Sequence, residues 1–222
     1  MSKLFVANWK SNKTLEEVRQ WMDDFKVELN DDQEIVIAPP YPFLSLVADK
    51  IKDLPGVSLA VQNLSSFPAG SYTGEVCVRN LEGLGVKYAI VGHSERRRYL
   101  KESHQDVANK VSQALNNGIT PIVCIDQDYM EDQAQLIESD LLSQCVVAYE
   151  PLVAIGTGEN APVKEVAKVV KEIKEVFGEV PVLYGGSVSP DNVILYLEIT
   201  DGVLVGGASL DVGVFAELIK SN

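Results

Sequence analysis

The sequence predicts an α/β fold of one kind: eight parallel strands, each followed by a helical connection, closed into a (β/α)8 barrel that takes in residues 1–222 as a single domain. Short β-branched apolar runs alternate with helix-period segments from one end of the 222-residue chain to the other. No linker, low-complexity tract or break in composition divides them. The residues able to carry chemistry stand just beyond the apolar runs, at the strand ends where a barrel builds its site. An open doubly wound sheet is the competing arrangement, but it calls for a topological switch rather than eight even units.

In chain order, the first strand is Leu4–Ala7, followed by an amphipathic segment Thr14–Leu29 whose capping Thr14 precedes Glu16 and Glu17. Strand Ile35–Ala38 leads into helix Phe43–Lys52, and strand Ser58–Val61 into a long connection and a helical stretch Val78–Leu84. Strand Tyr88–Val91 precedes helix Gln105–Asn116, which Gly118 closes. Strand Thr120–Cys124 is followed by a weaker acidic segment, Tyr129–Leu142. Strand Val146–Tyr149 comes before helix Val163–Phe177, opened by Pro162 and closed by Gly178. The last units are strand Val182–Tyr184 with helix Pro190–Leu197, and strand Val203–Val205 with helix Leu210–Lys220. A barrel of this type usually takes about 250 residues. The connections are therefore trimmed, most of all between Ile125 and Cys145 and between Pro190 and Thr200.

Composition narrows the function. A chain with 46% hydrophobic and 23% charged residues is an ordinary globular protein. It has no apolar run approaching the roughly 20 residues that span a bilayer, and the apolar stretch at the N-terminus is too short for a secretory signal. Cys77, Cys124 and Cys145 are widely spaced and odd in number, which fits a reducing cytoplasm and no metal site. The net charge of −13 argues against nucleic acid and anionic membranes as partners. It also repels anionic substrates, so a phosphate site must be made locally from backbone N–H groups, helix N-termini and a lysine.

The segment Tyr149-Glu150-Pro151 through Gly156-Thr157-Gly158 places a carboxylate at a strand's end, followed by a proline-stiffened loop with two glycines. That is how a base under a closing loop is built; an exposed strand-end glutamate is the plain alternative. Lys10 follows the first strand in Asn8-Trp9-Lys10, where an ammonium is costly unless it serves a charge; a surface lysine is the commoner fate. His93 ends the fourth strand in Gly92-His93-Ser94-Glu95-Arg96-Arg97. An imidazole at the start of a helical turn is biased toward its neutral form and can donate to a substrate oxygen, although alone it reads as a structural histidine. Glu95 balances Lys10, the arginines tie neighbouring loops together, and His104 reads as surface. Glycine pairs follow the last two strands, in Tyr184-Gly185-Gly186-Ser187 and Val205-Gly206-Gly207-Ala208-Ser209, where barrels often bind phosphate.

Taken together, these motifs, with Gln62-Asn63 and Thr73-Gly74-Glu75, resemble the triosephosphate isomerase family over nearly the whole chain and in the family's order. The resemblance implies a TIM barrel that interconverts dihydroxyacetone phosphate and D-glyceraldehyde 3-phosphate through an enediolate, in glycolysis and gluconeogenesis, with no metal or organic cofactor. It implies that Glu150 is the base, His93 the neutral electrophile, and Lys10 with Asn8 the stabiliser of the developing charge. Substrate is expected at Asn8, Lys10, Gly156, Ser187, Gly206 and Gly207. Ser94 is expected to hold Glu150 in the open form and Glu95 to support Lys10. The Tyr184 and Ser187 hydroxyls are expected to hold the closed loop through the backbone near Ala161 and Gly158. The connection spanning residues 63–77 is expected to enter a neighbouring subunit, bringing Thr73 near that subunit's site in a homodimer or larger assembly. Two departures are visible: Leu152-Val153 stand where the family commonly has Val-Trp, and the second hinge, Glu159-Asn160-Ala161, is polar and not the commonest version.

Overall fold

The computed structural model describes residues 2–151 and 160–221. Eight parallel strands form a closed barrel in sequence order. They are β1 (Lys3–Asn8), β2 (Gln33–Ala38), β3 (Val57–Val61), β4 (Val86–Val91), β5 (Thr120–Ile125), β6 (Val146–Tyr149), β7 (Val182–Tyr184) and β8 (Gly202–Val205). Closure comes from β1, which pairs with β2 from Lys3↔Gln33 to Asn8↔Ala38 and with β8 from Leu4↔Gly202 to Ala7↔Val205.

The period of two along each strand divides the apolar side chains between two cores. Leu4 and Val6 of β1 point into the barrel with Val36, Ala60, Ile90, Ile122, Ala148 and Leu204. Phe5 and Ala7 point outward to the helices, with Ile35, Ile37, Val123, Val147 and Val203. Burial on both faces is why these strands read as continuous apolar runs rather than alternating ones.

The helices are α1 (Leu15–Asp24), α2 (Leu44–Ile51), α3 (Ser94–Leu100), α4 (His104–Leu115), α5 (Met130–Leu136), α6 (Ser139–Leu142), α7 (Val163–Phe177), α8 (Val193–Leu197) and α9 (Val212–Lys220). Thr14 and Glu17 form a reciprocal capping box on α1, and Ser103 and Asp106 form another on α4. The helix expected over Thr14–Leu29 stops at Asp24, because Phe25 leaves helical geometry to stack on Trp21 at 4.8 Å. The stretch expected as helix over Val78–Leu84 is one 3-10 turn, Val78–Leu81, since Gly83 and Gly85 both take positive φ. The acidic segment after β5 divides into α5 and α6, and the helix expected from Pro190 begins only at Val193. Helix α3 has no counterpart in the periodicity, because Ser94 is its one buried residue and it presents no apolar face.

Candidate active site

Glu150 follows β6 directly and is 1% exposed. Its backbone N–H donates to the Ile125 carbonyl at 2.8 Å, which carries the β6 register one residue past the strand. The carboxylate is held at both oxygens: Oε2 accepts the Ser94 backbone N–H at 2.8 Å, and Oε1 lies 2.9 Å from His93 Nε2. It is thus the Ser94 amide that grips Glu150. Burial pushes the Glu150 pKa up, but the His93 charge and hydrogen bond, with the bonds from Ser94, outweigh it and lower the value overall.

His93 caps α3, and its Nδ1 accepts the Glu95 backbone N–H at 3.2 Å. That bond needs a lone pair on Nδ1, so the neutral ring carries its proton on Nε2, facing Glu150. Burial favours this neutral form, but the charge and bond of Glu150, with the charge of Glu95, raise the His93 pKa above its ordinary value.

Lys10 faces this pair from the end of β1. Its Nζ meets Glu95 Oε1 at 2.6 Å. The backbone is in the left-handed region (φ 51), a strained state for a lysine. Two side chains hold it there: Asn8 Oδ1 accepts the Lys10 N–H at 3.1 Å, and Gln62 Nε2 donates to the Lys10 carbonyl at 2.9 Å and to the Ala38 carbonyl at 2.8 Å.

These groups open onto a cavity of about 270 Å³, lined by Asn8, Lys10, His93 and Glu150 together with Gly185, Gly186, Ser187, Gly206 and Gly207. The glycine side is close-packed from beneath. A Cβ on Gly186 would collide with the Tyr184 hydroxyl, and one on Gly206 would lie 3.1 Å from Lys10 Cε. The Ala161 backbone N–H donates to Tyr184 Oη at 3.0 Å. Gly156, Gly158 and the departure at Leu152-Val153 lie outside the described residues. Thr73 is exposed in the connection between β3 and Val78, away from the cavity.

Sequence reasoning missed part of what supports the site. Gln62 belonged to a recognised motif, but nothing in its pattern stated that it restrains Lys10. Glu102 was not singled out: its Oε1 accepts the Gly92 N–H at 3.1 Å, and its Oε2 pairs with Arg96 and Lys110, each at 2.6 Å. His104, read as a surface residue, is half-buried and lies 3.0 Å from Arg97, whose Nε donates to the Gly92 carbonyl at 2.7 Å. Gly92 itself takes φ 70, and a Cβ there would meet Arg97 at 2.6 Å. An arginine run after a glycine at a strand end is the one signal that pointed to this network. Among the described residues, no cluster of three or more His, Cys, Asp or Glu is arranged to hold a metal ion.

A carboxylate, an imidazole donor and an ammonium facing a glycine floor at the C-terminal rim define a class: barrel enzymes that move protons on small phosphorylated substrates. The triosephosphate isomerase family profile matches residues 3–222. The chain is 41% identical to the triosephosphate isomerase of Mesomycoplasma hyorhinis over 245 aligned positions and 36% identical to that of Mesomycoplasma hyopneumoniae (strain 7448) over 244, in both cases across 100% of each chain. It is 35% identical to the triosephosphate isomerase of Synechococcus sp. (strain JA-3-3Ab), over 98% of this chain and 94% of that one. The chain belongs to the triosephosphate isomerase family.

Proposed function

We propose that this chain interconverts dihydroxyacetone phosphate and D-glyceraldehyde 3-phosphate by proton transfer through an enediolate, as a step of glycolysis and gluconeogenesis. The observation that carries the reading is the meeting of Glu150, His93 and Lys10 around one cavity floored by two glycine turns. Glu150 removes a proton from the carbon beside the carbonyl. His93 Nε2–H donates to the carbonyl oxygen as it gains charge, and Lys10 stabilises that charge with Asn8 beside it. Glu150 must first release the Ser94 amide and His93, so substrate oxygens take its place on Nε2. The phosphate lies over Ser187, Gly206 and Gly207, with Gly156 contributing from the loop after β6, and is bound by backbone N–H groups in a protein whose overall charge opposes it. Tyr184 and Ser187 act on the same loop from the floor.

The protein works as a homodimer or larger assembly through the connection of residues 63–77. Phe67 and Tyr72 stack at 4.5 Å on that connection while remaining 44% and 42% exposed, and Tyr99 and Leu100 are 66% and 64% exposed at the end of α3. Exposed aromatic and apolar side chains of this kind support a protein interface, with Thr73 brought to the neighbouring subunit. We place the enzyme in the cytoplasm: three buried free thiols are consistent with a reducing compartment, and no helix among the described residues is long and apolar enough to cross a membrane.

The test is dihydroxyacetone phosphate in deuterated water followed by proton NMR. Glyceraldehyde 3-phosphate carrying solvent deuterium beside the carbonyl is the expected product. Neither exchange nor isomerisation by folded protein overturns the assignment. Sedimentation with a parallel assay tests the assembly, and a fully active monomer overturns it.

A further inference from the structure

We infer that Tyr196 is a positioning residue for the phosphate end of the site, acting through Tyr184 and the Asn160–Ala161 backbone; the inference rests on the phosphate-binding role proposed above for the turn after β7. Tyr196 stands on α8 and is fully buried. Its ring stacks on that of Tyr184 with centroids 3.9 Å apart and planes within 10°. Its hydroxyl donates to the Ala161 carbonyl at 2.7 Å and accepts from Asn160 Nδ2 at 2.7 Å. Tyr184 Oη accepts the N–H of that same Ala161. The polar groups of one residue's backbone therefore end on two stacked tyrosine hydroxyls that come from different elements, β7 and α8.

The burial gives this arrangement its force. Both rings are fully buried and Ala161 is 6% exposed, so water does not readily replace either bond, and a lost partner leaves a buried polar group unpaired. Tyr184 also bounds the glycine turn, because its hydroxyl fills the space where a Cβ on Gly186 would stand. Tyr196 supports Tyr184 on its ring face and fixes the peptide that Tyr184 holds. The local backbone framework is thin: β7 has three residues and pairs with β8 at two positions, and α8 has five residues. Side-chain packing supplies what the short elements do not. A leucine or phenylalanine at position 196 would fill the space, but neither would reach the Ala161 carbonyl.

Tyr196→Phe tests this, since it keeps a ring in the stack and removes the hydroxyl. Three quantities are compared with wild type: amide hydrogen exchange at Ala161, the Kd for inorganic phosphate, and the separate kinetic constants. Loss of both bonds of the Tyr196 hydroxyl predicts faster exchange at Ala161, a Kd for phosphate and a KM raised together about fivefold, and kcat changed less than about twofold. A variant that folds with wild-type exchange at Ala161, or with faster exchange but unmoved Kd and KM, overturns the role. So does a fall in kcat alone. Should Tyr196→Phe not fold, Asn160→Ala at an exposed position removes the bond that orients the Tyr196 hydroxyl. It is expected to raise the phosphate Kd about twofold, and an unchanged Kd there overturns the role as well. Wild-type protein that binds no phosphate overturns the reading of the site itself, whereas wild-type binding with an unmoved variant overturns the positioning role alone.

Discussion

The two sides of the barrel rim are built from different materials. Beyond β4 and β5, charged side chains cross-link the backbone: Glu102 joins Gly92, Arg96 and Lys110, Lys110 reaches Asn63 at 2.8 Å, and Arg97 joins Gly92 to Gln133 at 2.8 Å. Beyond β7 and β8 the strands are three and four residues long, the cavity is floored by glycine backbone, and stacked tyrosine rings support it from below. The difference matches the work proposed for each side. Proton transfer needs side chains whose orientation and charge are fixed, and a surrounding ion network fixes them. Phosphate binding in an acidic protein needs backbone N–H groups at close range, and at Gly186 and Gly206 a side chain would crowd Tyr184 and Lys10.

The largest break in this contrast is Glu150→Gln, which removes the proposed base and leaves the floor alone. The expected outcome is a kcat lower by about 10²–10⁴-fold with the affinity for inorganic phosphate kept, read by steady-state assay and phosphate titration. Next is Glu102→Gln, which leaves Lys110 buried without its counter-charge; calorimetry is expected to show a loss of about 3–5 kcal/mol. Glu102 also carries a sign. Burial raises its pKa, but the bonds and charges of Lys110 and Arg96 outweigh this and hold it below the ordinary carboxylate value. A depressed folded pKa gives stability that is present above the unfolded value near about 4.3 and lost as pH falls through the folded one. The thermal midpoint of wild type is therefore expected to fall more steeply with pH below about 4.3 than that of Glu102→Gln.

Gly186→Ala breaks the other side. Its methyl group meets the Tyr184 hydroxyl, and the overpacking is expected to cost about 1–3 kcal/mol of stability. Phosphate affinity falls with it, a loss visible in the same titration that leaves Glu150→Gln unchanged. The smallest effect sharpens the contrast. Ser103→Ala removes the cap of α4 on the charged side, and chemical denaturation is expected to register about 1 kcal/mol with phosphate affinity unmoved.

The strands were legible because burial on both faces makes each an uninterrupted apolar run, and all eight expected runs fall within the observed strands. The candidate residues were legible because Lys10, His93 and Glu150 each stand just past such a run, and the fold brings all three to one cavity. What was not legible rests on contacts between segments distant in sequence. Helix α3 is polar and held at its start by the His93 cap, so periodicity could not mark it. Phe25 ends α1 early through a stack on Trp21 that no local signal encodes. Glu102 and Lys110 are two ordinary charged residues until the fold places both in the interior, 2.6 Å apart. The glycine pairs and the Tyr184 hydroxyl were marked in the sequence, whereas the stack of Tyr196 on Tyr184 required the packing of α8 on the last strands.

Gln62 carries one more consequence. Its amide, at the end of β3, grips the carbonyls of Lys10 and Ala38, at the ends of β1 and β2. The left-handed turn at Lys10 is thus only partly a local habit, held by Asn8; the grip on its carbonyl depends on three strands lying side by side in register. A chain that has formed β1 and β2 but not yet docked β3 possesses the lysine without its geometry. Competence of the cation is a property of assembly, acquired when the barrel's first three staves are joined.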